Sequence, residues 1–235
     1  MISAFHWQAV LRIVLGLCLA IFAGLSMADW PETLLKQANL AITLTIGLLV
    51  VFGSNWGLWR RAWDAFPRLN RWVYPDLNGT WRGSLSSNWQ VIERMAKAAK
   101  GEIPAFDPFA PSELFNRQSV PMTLRIRAGW FRIHVRMETD NRYSNSRTLS
   151  VMPERGRDGD PHAISYIFEN STPDAVATDS AHHRGAARLE IGLDGGEPIL
   201  EGVVWTDRNW QKGLNTAGLL RVKRISRDPE ASVPV

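Results

Sequence analysis

Met122-Thr123-Leu124-Arg125-Ile126-Arg127 and, after Ala128-Gly129, the run Phe131-Arg132-Ile133-His134-Val135-Arg136-Met137 alternate apolar and polar side chains. A period of two belongs to a strand with one buried and one solvated face, and here the solvated face is basic. Working outward, short β-branched and aromatic segments bounded by Gly, Pro, Asn and Asp recur about eight times. Thr80–Ser86, Val120–Arg127, Trp130–Glu138 and Arg147–Met152 make the first half of the series; Ala163–Glu169, Ala187–Gly192, Ile199–Trp205 and Ala217–Ile225 make the second. One helix interrupts them: Asn88 can cap a run through Ala99 that places Trp89, Ile92, Ala96 and Ala99 on one side. Strands joined by turns pair antiparallel, and closing them removes exposed edges while enclosing side chains or one small ligand. The soluble part therefore reads as an all-β barrel with one helix across an end; a sandwich is the rival. Two long loops, Gly101–Gln118 and Ser171–Gly185, would shape its mouth.

Upstream the pattern changes completely. Ala9–Ala28 is apolar except for Arg12, and Ala38–Trp59 is a second such stretch, each long enough for a hydrocarbon core of roughly 30 Å. Only a short polar turn with Pro31 separates them, so residues 1–59 read as a two-helix transmembrane hairpin. Trp7, Trp30, Trp56, Trp59 and Trp63 fall near the ends, where indoles favour the headgroup level. A secretory signal is the competing reading of the first run, weakened by its poor basic flank and by the second apolar run. Arg60, Arg61, Arg68 and Arg71 follow the second span while the turn is acidic, which predicts both termini and the barrel on the cytoplasmic side. Gly16, Ala20 and Gly24 recur every four residues, and Gly53 and Gly57 repeat the spacing. Small faces of this kind serve packing within the hairpin or between protomers. Residues 60–75 form a basic, aromatic connector, 76–226 the barrel, and 227–235 a flexible tail.

The chain has 235 residues, one cysteine and a net charge of +4. The apolar segment is charge-balanced, so the excess lies downstream, without a Lys/Arg run longer than two. That argues against duplex DNA as a partner and allows a small anionic ligand. Cys18 cannot make an internal disulfide, and no Cys-rich zinc module is possible. His134, His162, His182 and His183 do not suggest a metal site, because the adjacent pair would point to opposite faces of a strand. No nucleophile elbow or phosphate-binding glycine loop is present, so no catalytic residue and no cofactor are assigned. The most informative stretch runs from Leu200 to Asn209. Thr206, Arg208 and Asn209 offer a hydroxyl, a guanidinium and an amide at one strand end, suited to a phosphodiester, and Tyr166 and Trp205 could supply stacking faces. The plainer alternative is a surface turn at Asp207-Arg208 with Trp205 in the core.

Two N-terminal spans, then Trp72-x-Tyr74-Pro75-x-Leu77-x-Gly79-x-Trp81-x-Gly83, then about eight strands ending in Leu200-x-Gly202 and Thr206-x-Arg208, form an order of parts that spans nearly the whole chain. It resembles the two-transmembrane, β-strand-rich effectors of CBASS, the cyclic-oligonucleotide anti-phage signalling systems of bacteria. The resemblance implies an inner-membrane protein whose cytoplasmic, lipocalin-like eight-stranded barrel senses a cyclic dinucleotide made by an associated nucleotidyltransferase. It further implies self-association on sensing, and disruption of the bilayer leading to death of the infected cell, with no enzymatic step. Two readings compete with it: a membrane-tethered carrier with an apolar cavity lined by Met122, Ile126, Ile133 and Val135, and a tethered hydrolase using His134, His162 or His183.

Overall fold

A computed structural model describes residues 7–109, 119–140, 144–156, 159–173 and 180–232. Parts of both long loops and the last three residues of the expected tail lie outside them. The chain forms two units, one of Met1–Asp76 with Ala128–Ile133, the other of Leu77–Arg127 with His134–Val235.

In the first unit, α1 (Trp7–Met27) and α2 (Leu34–Ser54) are the apolar runs read from sequence. Both are long and apolar enough to cross a membrane; the window Val10–Met27 is not buried at all and Leu34–Ser54 only 17%. A core helix of a soluble protein would be mostly covered, whereas Ile13, Leu15, Leu19, Ile46 and Leu48 stand exposed. Such surface suits lipid, where helices satisfy their own backbone groups. Within the pair, α2 turns Gln37, Ala41 and Thr45 inward, and Ser26 donates to Gln37 Oε1 at 2.9 Å.

The second span ends five residues earlier than the apolar pattern predicts. Asn55 Oδ1 accepts the backbone N–H groups of Gly57 and Leu58, capping a new helix, α3 (Trp56–Ala65), followed by the short α4 (Leu69–Trp72). Hydropathy hides such a break, because indoles on α3 sustain the apolar average across the cap. Trp59 and Trp63, read as headgroup anchors, are instead 0% and 4% exposed, and Trp63 Nε1 donates to Tyr74 O at 3.0 Å. Edge-on aromatic contacts join Trp63 to Trp59, and Trp130 to both Trp63 and Phe52. A Cβ on Gly53 would meet the Phe131 ring.

The second unit is a closed antiparallel barrel whose strands follow sequence order: β1 (Gly79–Ser87), β2 (Ser119–Ala128), β3 (Ile133–Thr139), β4 (Asn145–Glu154), β5 (Ala163–Ser171), β6 (His182–Asp194), β7 (Glu197–Thr206) and β8 (Ala217–Ser226). β1 closes the ring by pairing with both β2 and β8. The eight strands are those read from sequence, with shifted ends; β6 begins at His182 and absorbs the stretch expected to lead into it. Closing so small a ring brings backbones close together. A Cβ on Gly83 would lie 2.0 Å from Arg221 O, and one on Gly202 2.0 Å from Arg188 O, which is why these motif positions tolerate no side chain. The C-terminal segment is tied down as far as Ala231: Arg125 donates to the carbonyls of Pro229 and Ala231, and Thr80 to that of Asp228.

At one end the interior is solid. Trp81, Leu124, Ile126, Leu189 and Val222 are fully buried there. Each such side chain contributes about 1.5–3 kcal/mol relative to exposure, which makes this end the stabilising half of the barrel.

Candidate ligand-binding site

The other end is open. A cavity of about 250 Å3 occupies the mouth, with Met122, Phe168 and Val204 at its deeper side and polar side chains above them. Its roof begins with α5 (Trp89–Ala99), the expected helix, which contributes Trp89 and Gln90. Asn88 does not cap this helix in the expected way. Its side chain instead accepts the Ala217 N–H at 2.9 Å, while its own N–H donates to Ala217 O, and Ser87 Oγ accepts the Trp89 N–H. The start of α5 is thereby fastened to the first residue of β8.

The polar groups are positioned by strand parity. On β7, Leu200, Gly202, Val204 and Thr206 share the inner row, so Thr206 reaches the mouth; its hydroxyl lies 2.8 Å from Thr216 Oγ1. On β5 the inner row runs Ile164, Tyr166, Phe168, Asn170, and Asn170 pairs with Ser144 through contacts of 2.7 and 2.9 Å. Ser144 N–H in turn donates to Thr139 Oγ1 at 3.1 Å. Buried hydroxyls and amides are costly unless paired, and these are held in place before any ligand arrives. Arg208 lies just past β7, its N–H 3.4 Å from Thr206 Oγ1, and supplies the guanidinium of the lining. His183 faces inward beside it while His182 faces outward, as alternation requires.

Of the residues selected from sequence, the structure brings Thr206 and Arg208 together on this cavity and separates the others from it. Tyr166 lies in the interior below Phe168, ring centroids 5.9 Å apart. Burial pushes its phenol well above the usual range, so it stays neutral. Trp205 takes the outer face of β7, 47% exposed, bordering a shallow groove with Pro161 and Arg188. It is therefore neither a wall of the cavity nor part of the core. Asn209 adopts φ 46° on the outer rim. Asn170, Ser144, Thr139, Thr216 and His183 are lining residues that sequence reasoning did not select. Ile126, Ile133 and Val135, expected to line an apolar carrier's cavity, do not line this one; of that set only Met122 does.

Gly16, Ala20 and Gly24 are exposed on α1, and a Cβ on Gly16 or Gly24 would meet nothing within 4 Å. Gly53 is buried, and Gly57 has only Asn55 Oδ1 close by. Among the described residues, no group of three or more His, Cys, Asp or Glu is placed to hold a metal ion. His162, one of the hydrolase candidates, accepts the Gly156 N–H at Nδ1.

A closed barrel with a polar, preorganised mouth, following two helices apolar enough to cross a membrane, has the architecture of the two-transmembrane β-barrel effectors of CBASS. No protein-family model matches the chain. It is a homologue of CD-NTase-associated protein 15 of Escherichia albertii, 29% identical over 195 residues and covering 82% of each protein. The relation spans both parts of the chain, since 195 residues exceed the barrel alone.

Proposed function

We propose that this protein is a membrane-attached anti-phage effector gated by a cyclic dinucleotide. The relative's name ties that protein to a CD-NTase, and a nucleotidyltransferase working with the present chain would supply the ligand. The observation that carries the reading is the mouth cavity, where one guanidinium from Arg208 and the hydroxyls of Thr206, Thr139 and Thr216 converge above an apolar floor. A guanidinium recognises phosphate oxygens bidentately, hydroxyls serve ribose and phosphate, and the side chains of Trp89 and Phe168 offer faces for a base. An apolar cargo would set hydrocarbon against the charged Arg208 guanidinium and displace its water at a cost, which disfavours the carrier reading.

Ligand binding shifts the protein toward assembly by the difference in affinity between the single and assembled states. The outward row Gly16, Ala20, Gly24 then gives neighbouring α1 helices a close-contact face, and α1 with α2 spans the inner membrane with both termini and the barrel cytoplasmic. Gathering hairpins inside the bilayer disrupts it and ends the infected cell.

The test uses full-length protein in detergent. A panel of cyclic di-AMP, cyclic di-GMP and cyclic UMP-AMP is titrated by calorimetry, and particle size is followed by light scattering. The expected result is saturable binding by at least one of them, accompanied by growth of the particle. No binding by any cyclic dinucleotide, or binding with no change in size, contradicts the reading.

A further inference from the structure

A second concavity, about 420 Å3, lies on the rim of the same barrel, bordered by Glu169 on β5, His182 to Arg184 on β6, and the β7–β8 connection from Asp207 to Lys212. Its floor is fixed by the backbone. Asp207 N–H donates to Arg184 O at 2.9 Å, and Asp207 Oδ1 accepts the Arg184 N–H at 2.6 Å, extending the β6–β7 pairing beyond Gly185 and Thr206. Asn209 (φ 46°) and Gly213 (φ 69°) adopt left-handed backbone on either side of a 3₁₀ turn, Trp210–Lys212. Gly213 N–H donates to Trp210 O and Lys212 N–H to Asn209 O, so the turn presents its indole from a rigid base. Trp210 is nevertheless 66% exposed. A large aromatic held in water on a braced turn gains little from burial within the protein and is well placed to stack on something else.

Charge in the groove is arranged in the same sense. The Glu169 carboxylate is bonded by Arg147 at 2.9 Å, which together with Arg184 and His182 holds it below the usual carboxylate range. Asp207 turns an oxygen to a backbone N–H. With Glu169 compensated by Arg147 from outside the groove, Arg184 and Lys212 outweigh Asp207 at the edge. His183 borders both this groove and the mouth cavity, so the two concavities are neighbours with that residue between them. Size then matters. The mouth alone, about 250 Å3, falls below the roughly 300–1,000 Å3 of sites for drug-sized ligands. A cyclic dinucleotide, with two bases, two riboses and two phosphates, needs more room than that.

We propose that the groove is the outer half of the ligand site: one nucleotide enters the mouth at Arg208 and Thr206, and the other lies across His183 onto the rim. There Trp210 stacks on its base and Lys212 and Arg184 meet its phosphate. This rests on reading the mouth as a cyclic-dinucleotide site. It accounts for an exposed indole, two cations and a braced turn beside a cavity too small for the whole ligand.

The experiment is calorimetric titration of full-length protein in detergent with cyclic di-AMP, cyclic di-GMP and cyclic UMP-AMP, comparing wild type with Trp210→Ala, Trp210→Tyr, Lys212→Ala and Arg208→Ala. Trp210→Ala should weaken the tightest cyclic dinucleotide about tenfold or more, as loss of one base–aromatic stack does, and Trp210→Tyr should restore most of it. Lys212→Ala should weaken binding and flatten its salt dependence. If wild type binds and Arg208→Ala impairs binding while the Trp210 and Lys212 variants match wild type, the groove is not part of the site and the mouth reading stands. If the Trp210 and Lys212 variants fail while Arg208→Ala binds normally, the mouth reading fails and the groove alone is the site. Absence of binding in wild type overturns both.

Discussion

The two ends of one barrel interior are built from the same eight strands and have opposite chemistry. Toward the start of β1 and the end of β8, Trp81, Leu124, Ile126 and Val222 fill the space completely, and Trp81 Nε1 is satisfied by Leu77 O at 3.1 Å. Toward the end of β1 and the start of β8, the corresponding rows carry Thr139, Ser144, Asn170, Thr206 and Thr216 around a cavity. Every polar group there replaces an apolar one that would have stabilised the fold, and must be paired to avoid a cost of about 1–3 kcal/mol. A sequence that departs from its own packing pattern at one end marks that end as the candidate for a function other than stability. The packed end carries stability; on the proposed function the mouth takes the ligand.

That division is broken most severely at Trp81. Trp81→Ala removes a fully buried indole and should destabilise the barrel by about 3–5 kcal/mol, read as a large drop in the denaturation midpoint of the detergent-solubilised protein. Ligand binding should be lost only as the fold is lost. An equal loss of stability from Arg208→Ala would erase the distinction between the ends. Arg208→Ala is instead expected to leave the midpoint within about 1 kcal/mol of wild type while lowering cyclic-dinucleotide affinity roughly 10- to 100-fold, the range of a charged hydrogen bond.

A third substitution separates binding from its consequence. Gly16→Leu with Gly24→Leu adds bulk where a Cβ meets nothing within 4 Å in the single chain, so the hairpin should form and the mouth should bind as before. Close approach between α1 helices is blocked, and ligand-induced growth of the particle and leakage of dye from proteoliposomes should both fall severalfold. Unchanged leakage would remove the small-residue row from the mechanism.

How much of this was written in the sequence varies by type of residue. The strand series was legible because alternation is a local signal, and the same signal put Thr206 at the end of one strand with Arg208 just past it. Trp205 was misplaced although its parity was readable: it shares a row with Glu201 and Val203, while Leu200 and Val204 take the other row, and a row containing Glu201 faces water. The cap at Asn55 was obscured by the apolar run before it and the tryptophans Trp56, Trp59 and Trp63 after it. Asn170, Ser144 and Thr216 carried no local signal. They meet only because β3 through β8 pair in particular registers, and that information resides in contacts between residues far apart in the chain.

The smallest expected effect sharpens the comparison from its periphery. Asp194, the last residue of β6 at the packed end, is held below its ordinary pKa of 3.8 by hydrogen bonding to Lys223 and then Arg221; Glu169, at the mouth end, is held below 4.5 first by its hydrogen bond to Arg147. For a depressed carboxylate the native state favours the charged form, so the contribution is complete above the ordinary value and disappears as pH falls through the lowered one. The melting temperature should therefore be flat with respect to these two groups down to about pH 5 and decline below about pH 4. Both carboxylates are exposed and screened, so Asp194→Asn and Glu169→Gln should each flatten that acid limb only slightly. The variants differ in a second readout: Glu169 borders the rim groove, so Glu169→Gln should alter the salt dependence of ligand binding, whereas Asp194→Asn should leave it as in wild type. A shift of equal size from both would mean that long-range charge, rather than the groove, governs the approach of the ligand.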